Sequence, residues 1–428
     1  MLLTRYIFCS YAVECGKNIR AELRKFPLPL LPEHDKGCHM PNSFFSHVKI
    51  SAISVVVPEK EVRLIDELFY FNGDAKKAQR MTKVTGVDRR RIADSATTAA
   101  DLCCQAAEHL FEGIGFDALA RASIDALIFV SQQPDYFFPA TACILQHRLG
   151  LATHCAAYDV NQGCSAYTYG LWQASALLES RAVRRVLLVV GDTPSKLAPE
   201  GNRIVAPIFG DGGSATLLEY APELRPSWYT LGTDGSGYET LIVPGGAARM
   251  PLPADSATRE EFCSALVDSA GNPWNLLRTY MDGGAIFDFT LSRVPETIGE
   301  LLSHAQLTPE DITFLALHQA NKQIVEAVTQ KAGFPLHKVS TDCLSAYGNL
   351  AGCSIPGGLC RMTGQGAFPS GNILLSGFGV GLSWASAILS LEGAINIGIH
   401  NYKKPEKQMS QKTLQTYWQN KLSAKDME

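Results

Sequence analysis

Three residues have types and settings that could do chemistry together. Cys164 lies in Tyr158-Asp159-Val160-Asn161-Gln162-Gly163-Cys164-Ser165, where an apolar stretch stops, a glycine permits a tight turn, and a helix-like run of small residues begins. That setting predicts a thiol at a helix N-terminus, where unpaired amides and the helix dipole favour a thiolate able to accept an acyl group. His318 follows the apolar run Ile312–Leu317, and a histidine at the carboxyl end of a buried strand faces the side where ligands bind in open α/β sheets. It can donate a hydrogen bond or exchange a proton near neutral pH. Asn349 sits in the small-residue loop Tyr347-Gly348-Asn349-Leu350-Ala351-Gly352. Each has a plainer explanation. A free cysteine packs as a small hydrophobe, a histidine can be structural, and an asparagine beside glycine suits an ordinary turn. Packing accounts for Cys103, Cys143, Cys353 and Cys360, but not for a Gly-Cys turn that opens a helix.

The elements that must position these residues alternate in type. Apolar runs at Val48–Val57, 124–130, Ala156–Val160, 186–190 and 215–219 predict strands. Helical spacing is read over 97–111, 140–149 and 165–180, and loosely over 60–72. The second half repeats the logic, with strands at Ile312–Leu317, 373–375 and 382–391 and a helix over 323–332. The order implies α/β architecture with largely parallel sheets and a duplicated unit. Residues 231–249 read as loops, and 250–285 as an insertion facing the substrate.

Composition bounds the rest. The 428 residues are 46% hydrophobic and 19% charged, with a net charge of −4, so neither nucleic acid nor a membrane surface is an expected partner. The 12 cysteines form no CxxC pair and no zinc-spaced cluster, which predicts a reduced, cytoplasmic protein without a metal. No apolar run reaches about 20 residues, so no membrane span is expected. Residues 1–47 read as an N-terminal extension, within which 1–39 have weak patterning and Met40 is an alternative start. The halves are expected over 48–222, with the nucleophile, and 223–392, with His318 and Asn349. Residues 393–428 read as a polar tail, in which Leu414, Trp418 and Leu422 share one helical face.

Seven ordered motifs carry a resemblance. They are Thr85-Gly86-Val87 with Arg90-Arg91, Phe138-Pro139-Ala140, Asn161-Gln162-Gly163-Cys164-Ser165, Phe209-Gly210-Asp211-Gly212, His318-Gln319-Ala320-Asn321, Tyr347-Gly348-Asn349 and Gly377-Phe378-Gly379-Val380-Gly381. Over roughly residues 48–392 the chain resembles the 3-oxoacyl-acyl carrier protein synthase III family of the thiolase superfamily. The resemblance implies a thiolase-like five-layered αβαβα fold of two duplicated halves, a homodimer, and no cofactor. It gives Cys164 the acyl group of an acyl-CoA or acyl carrier protein and gives the amides of Cys164 and Val380 the oxyanion. His318 and Asn349 would hold the thioester carbonyl of malonyl-acyl carrier protein during decarboxylation. Phe138 matches a residue that enters the partner subunit's acyl tunnel. Arg203 is the candidate phosphate contact and Lys322 the candidate carrier-protein contact; each also suits a solvated surface charge.

The chain departs from the family where an adenine-stacking tryptophan and a following arginine are usual: it has Arg80-Met81 and Lys83-Val84. That shifts the expected donor from acetyl-CoA toward a longer acyl-CoA or a carrier-bound acyl group. An acyl transfer to an alcohol or amine on the same fold is the alternative, and a non-catalytic partner protein a third. A thiolase proper would need a second cysteine, which Gly377–Gly381 lacks.

Overall fold

The computed structural model describes residues 42–268, 271–405 and 411–425. Two strands open this region, the short β1 (Asn42–Phe45) and the long β2 (Val48–Val57). They are followed by β3 (Ala126–Val130), β4 (Ala156–Val160), β5 (Arg185–Asp192) and β6 (Gly212–Tyr220). A second set follows: β7 (Ser227–Thr233), β8 (Ile312–Leu317), β9 (Asn372–Gly379) and β10 (Ser383–Ser390), after which β11 (Ile395–Asn401) returns to the first. The seven-stranded sheet runs from the short strand Gly366–Ala367 through β11, β2, β6, β5 and β3 to β4. The five-stranded sheet runs β1, β7, β10, β9, β8.

One topology is used twice. In the first half β2 and β6 pair antiparallel, β6 and β5 antiparallel, and β5, β3 and β4 parallel. In the second half β7 and β10 pair antiparallel, β10 and β9 antiparallel, and β9 and β8 parallel. A single parallel bridge from Leu315 to Val339 stands where β4 stands in the first half.

The two sheets and three layers of helices make five layers. Helices α4 (Ala166–Glu179) and α7 (Ser354–Thr363) each touch strands of both sheets and form the middle layer. Helices α2 (Ala99–Ile114) and α3 (Thr141–Arg148) cover the outer face of the first sheet; α5 (Gly283–Ala305) covers that of the second, with α6 (Lys322–Lys331) against it. Strand alternation sorts the core accordingly. Ile53, Val55 and Val57 of β2 join the cluster between the sheets, whereas Ala52 and Val56 join the cluster under α2. A third cluster lies between α5, α6 and the outer face of the second sheet. Helix α2 begins after Thr98, which forms a capping box with Asp101.

Four sequence expectations change. Residues 231–249 were expected as loops, yet β7 runs into this stretch at Thr233, because its burial depends on β1 and β10 on either side. Residues 60–72 form a short strand and two 3-10 turns rather than a loose helix, and helix α1 (Ala75–Thr85) follows them. The polar tail starts later than residue 393: β11 pairs in parallel with β2, and its alternating burial is set by that sheet edge. Residues 42–47, assigned to the N-terminal extension, include β1, which pairs with β7. The expectations for residues 1–41 lie outside the described residues. Gln411–Lys425 is helical, with Trp418 and Leu422 exposed. No described helix is long and apolar enough to cross a membrane.

Candidate active site

Cys164 lies at the junction of β4 and α4. The carboxylate of Asp159 accepts the N–H groups of Thr141 and Ala142, each at 2.7 Å, and so fastens the end of β4 to the start of α3. Gly163 then turns the chain where a Cβ would collide with the side chains of Gln132 and Val380. The end of β9 passes close by: a Cβ on Gly379 would stand 2.7 Å from Cys164 Sγ. The thiol is 8% exposed, and burial pushes its pKa up to about 11. The charge of Asp192 acts in the same direction, while the N–H groups of Val380 and Cys164 itself, both directed at the sulfur, oppose it. The thiolate expected from the helix N-terminus is therefore corrected. Desolvation outweighs the amides, and Cys164 rests as a thiol. The same two amides are donors placed where negative charge would develop on a carbonyl attached to Sγ.

His318 leaves β8 with its N–H on the carbonyl of Ser376 of β9 at 2.8 Å, and its ring meets Phe378 edge-on with centroids 5.5 Å apart. It is buried, which pulls its pKa down to about 4; a backbone contact with Ala351 acts the other way. The imidazole is thus neutral near pH 7, and Nδ1 has no hydrogen-bond partner among the described residues. A neutral ring offers one donor and one acceptor.

Asn349 is held on both sides of its backbone. Its N–H donates to Ile208 O at 2.9 Å, and its carbonyl accepts the N–H of Gly210 at 3.0 Å, forming a bridge with Phe209. This contact explains the Phe209-Gly210-Asp211-Gly212 motif, since a Cβ on Gly210 would collide with the carbonyl of Tyr347. Asp211 anchors the segment by accepting from Ala93 N at 2.7 Å and Ser195 Oγ at 2.6 Å. In the side chain of Asn349, Oδ1 accepts the N–H of Ala351 at 2.9 Å, while Nδ2 points to Ala320 O at 3.5 Å. Ala320 and Ala351 therefore tie Asn349 to the His318 segment, and Ala351 lines the cavity that contains Cys164. Through Ala351, both Asn349 and His318 connect to the wall of the Cys164 cavity.

That cavity has a volume of about 650 Å³. Its apolar wall comes from Leu241, Ile242, Val243 and Leu277. Ile242 and Thr279 also line a neighbouring cavity of about 660 Å³, together with Ile204, Trp274 and Tyr280. The remaining predicted residues lie apart from the sulfur. Phe138 is 86% exposed, on a loop with a cis Phe138–Pro139 bond, so it is neither core nor part of its own chain's cavity. Arg203 is exposed beside the second cavity. Lys322 opens α6, half-exposed, 3.7 Å from Glu326, with its Cβ packed against Gly86. Sequence reasoning missed Gln132 and Asp192, which line the Cys164 cavity. Their one signal is a polar residue closing an otherwise apolar strand, as His318 does. Among the described residues no three His, Cys, Asp or Glu side chains are grouped to hold a metal ion.

Comparison with known proteins agrees with this geometry. The family profile described as 3-oxoacyl-[acyl-carrier-protein] synthase III matches residues 158–235, and the one for its C-terminal part matches 302–391. The chain is 38% identical over 366 residues to a putative 3-oxoacyl-[acyl-carrier-protein] synthase 3 of Campylobacter jejuni, covering 84% of this chain and 98% of that protein. It is 33% identical over 313 residues to the beta-ketoacyl-[acyl-carrier-protein] synthase III of Caldanaerobacter subterraneus, covering 72% of this chain and 88% of that protein. The crystal structure of a 3-oxoacyl-(acyl-carrier protein) synthase from Burkholderia xenovorans superposes with a TM-score of 0.74 at 36% identity, over 85% of this chain and 99% of that one. The chain belongs to the 3-oxoacyl-[acyl-carrier-protein] synthase III family and has its α/β thiolase-like fold.

Proposed function

We propose that the chain catalyses a decarboxylative Claisen condensation. Cys164 attacks the carbonyl of an acyl thioester, from acyl-CoA or an acyl carrier protein, and the amides of Cys164 and Val380 hold the oxyanion. The carrier thiol leaves with the proton that Cys164 gives up. Neutral His318 and Asn349 Nδ2 then donate to the thioester carbonyl of malonyl-acyl carrier protein. Carbon dioxide departs, and the electron pair it leaves forms an enolate that those donors stabilise. The enolate carbon attacks the acyl-Cys164 carbonyl, the C–S bond breaks, the departing thiolate takes a proton from water to restore the thiol, and 3-oxoacyl-acyl carrier protein is released. Loss of carbon dioxide creates the carbanion, so the reading asks for no metal, redox cofactor or charged base. The kinetics are ping-pong.

The observation that carries this reading is the neutral, buried His318 linked with Asn349 through Ala351, a residue of the cavity that contains Cys164. A plain transfer to an alcohol or amine would gain more from a base near neutrality than from a histidine with a pKa of about 4. The reading includes a homodimer, supported by the exposed Tyr136, Phe137 and Phe138 and by β4 standing at a sheet edge. It also includes a cytoplasmic setting, consistent with nine free cysteines among the described residues. The test is carbon dioxide release from malonyl-acyl carrier protein together with the intact mass of the protein after acyl-CoA. An acyl adduct that disappears in Cys164→Ala, coupled to condensation-dependent release, is the expected result. Failure of every acyl thioester to form an adduct defeats the reading.

A further inference from the structure

Asp192 closes β5 and is 2% exposed, in contact with the cavity that holds Cys164. Three donors converge on its carboxyl group. Ser131 Oγ and Gln132 N reach Oδ1 at 3.1 and 3.0 Å, and Gly352 N reaches Oδ2 at 3.2 Å. Ser131 Oγ accepts the N–H of Gln133 at 3.0 Å, which directs its own proton to Asp192. All of these partners are neutral donors, a set that suits an ionised carboxylate, and no ion pair reaches Asp192 among the described residues. A carboxylate buried without a cation is costly, so three converging donors mark a built position rather than an accident of packing.

The two oxygens serve different halves of the molecule. Oδ1 holds the end of β3 in the first half. Oδ2 holds Gly352 in the second half, next to Ala351, whose N–H fixes Asn349 Oδ1 and whose backbone contacts His318. We infer that Asp192 is a positioning residue for the condensation step: its carboxylate fastens the Asn349 loop to the strand ends beside Cys164. This rests on the reaction proposed above. The same charge has a second effect, because a carboxylate near Cys164 adds to burial in pushing the thiol's pKa up. The titratable groups facing Asp192 are Cys164 at the elbow, Cys103 on α2 and Asp211 before β6. Burial, and then the charge of Asp211, push Asp192 itself up to about 7.

Asp192→Asn and Asp192→Glu test this when the two half-reactions are measured separately. With Cys164 already acylated, carbon dioxide release in Asp192→Asn should fall about tenfold or more, since small misplacements of a catalytic group cost that much. The pH midpoint for alkylation of Cys164 by iodoacetamide should drop by about one unit on loss of the neighbouring charge. Asp192→Glu should keep the midpoint near that of the unaltered protein. Unchanged carbon dioxide release and an unchanged midpoint in Asp192→Asn overturn the inference. So does an equal loss in both half-reactions accompanied by a lower melting temperature, which assigns Asp192 to the fold alone. If the unaltered protein forms no acyl adduct, the reaction itself is wrong. The alkylation midpoint still reports on Asp192 in that case, so the two failures are distinguishable.

Discussion

The elbow at Cys164 and the loop at Asn349 occupy corresponding places in the two halves, each leading into a helix of the middle layer. The first passes from β4 into α4 in a few residues, with Gly163 at its turn. The second replaces β4 by one bridge at Val339 and inserts the helical turn Asp342–Tyr347 before Gly348, at φ +79°, and Asn349. Each is also held from the opposite half at the end of the fourth strand. Val380, after β9, directs an N–H at Cys164; Asp192, ending β5, receives an N–H from Gly352. The frame is shared while the chemistry is divided. The compact elbow leaves its side chain in the cavity, where the proposed reaction uses it as the nucleophile, and the longer loop carries the amide that the same proposal uses as a donor.

Breaking the nucleophile's side of this comparison should have the largest effect. Cys164→Ala should abolish the acyl adduct by intact mass and lower turnover by about 10⁴-fold or more. Breaking the other side should separate the half-reactions. Asn349→Ala and His318→Ala should each lower carbon dioxide release by about 10²–10³-fold, the cost of losing one preorganised donor, while Asn349→Ala still takes an acyl group on Cys164. Loss of adduct formation in Asn349→Ala would show that the two sites are not divided in this way.

Protonation sharpens the contrast. With Cys164 pushed up to about 11, its alkylation by iodoacetamide should rise about tenfold per pH unit from pH 7 to 10 and level off only above that. With His318 pulled down to about 4, carbon dioxide release from the acylated protein should show no inflection from His318 near pH 6.5. An alkylation midpoint below pH 8 would mean that the amides of Cys164 and Val380 outweigh burial.

Gly210 probes how the second elbow is held. Gly210→Ala would force a Cβ into the Tyr347 carbonyl, so a loss of about 2 kcal/mol or more in urea unfolding is expected, with carbon dioxide release impaired more than adduct formation. Equal impairment of both steps would mean that Gly210 supports the fold as a whole rather than Asn349.

Much of this division was legible in the sequence because its signals are local. A fully apolar β3, a Gly-Cys turn and a histidine closing β8 each follow from residues adjacent in the chain. What escaped depends on distant partners. Ser227–Thr233 has its burial set by β1 and β10, and α5 carries Pro295 within a helix whose apolar face is covered by the second sheet. Strand β11 looks polar until β2 lies beside it. The protonation state of Cys164 was misjudged for the same reason. The helix N-terminus is written in the local sequence, whereas the burial that overrides it includes the close approach of Gly379 from the other half.

The smallest effect is expected at the helices that follow the second strand of each half. The start of α3 is fastened by the carboxylate of Asp159. The start of α6 is capped by its own Asn321, which accepts from Ile324 N at 2.8 Å and leaves Lys322 outside, half-exposed, with Glu326 at 3.7 Å as its ion-pair partner among the described residues. Such a pair contributes at most about 0.5 kcal/mol, so Lys322→Ala should leave the urea midpoint nearly unchanged. A charge on the rim of a docking surface acts mainly on encounter and is screened by salt. If Lys322 meets the carrier protein, KM for malonyl-acyl carrier protein should rise about two- to threefold at low salt, with kcat unchanged and the difference gone at high salt. A KM independent of both the substitution and salt would return Lys322 to the role of a solvated helix lysine.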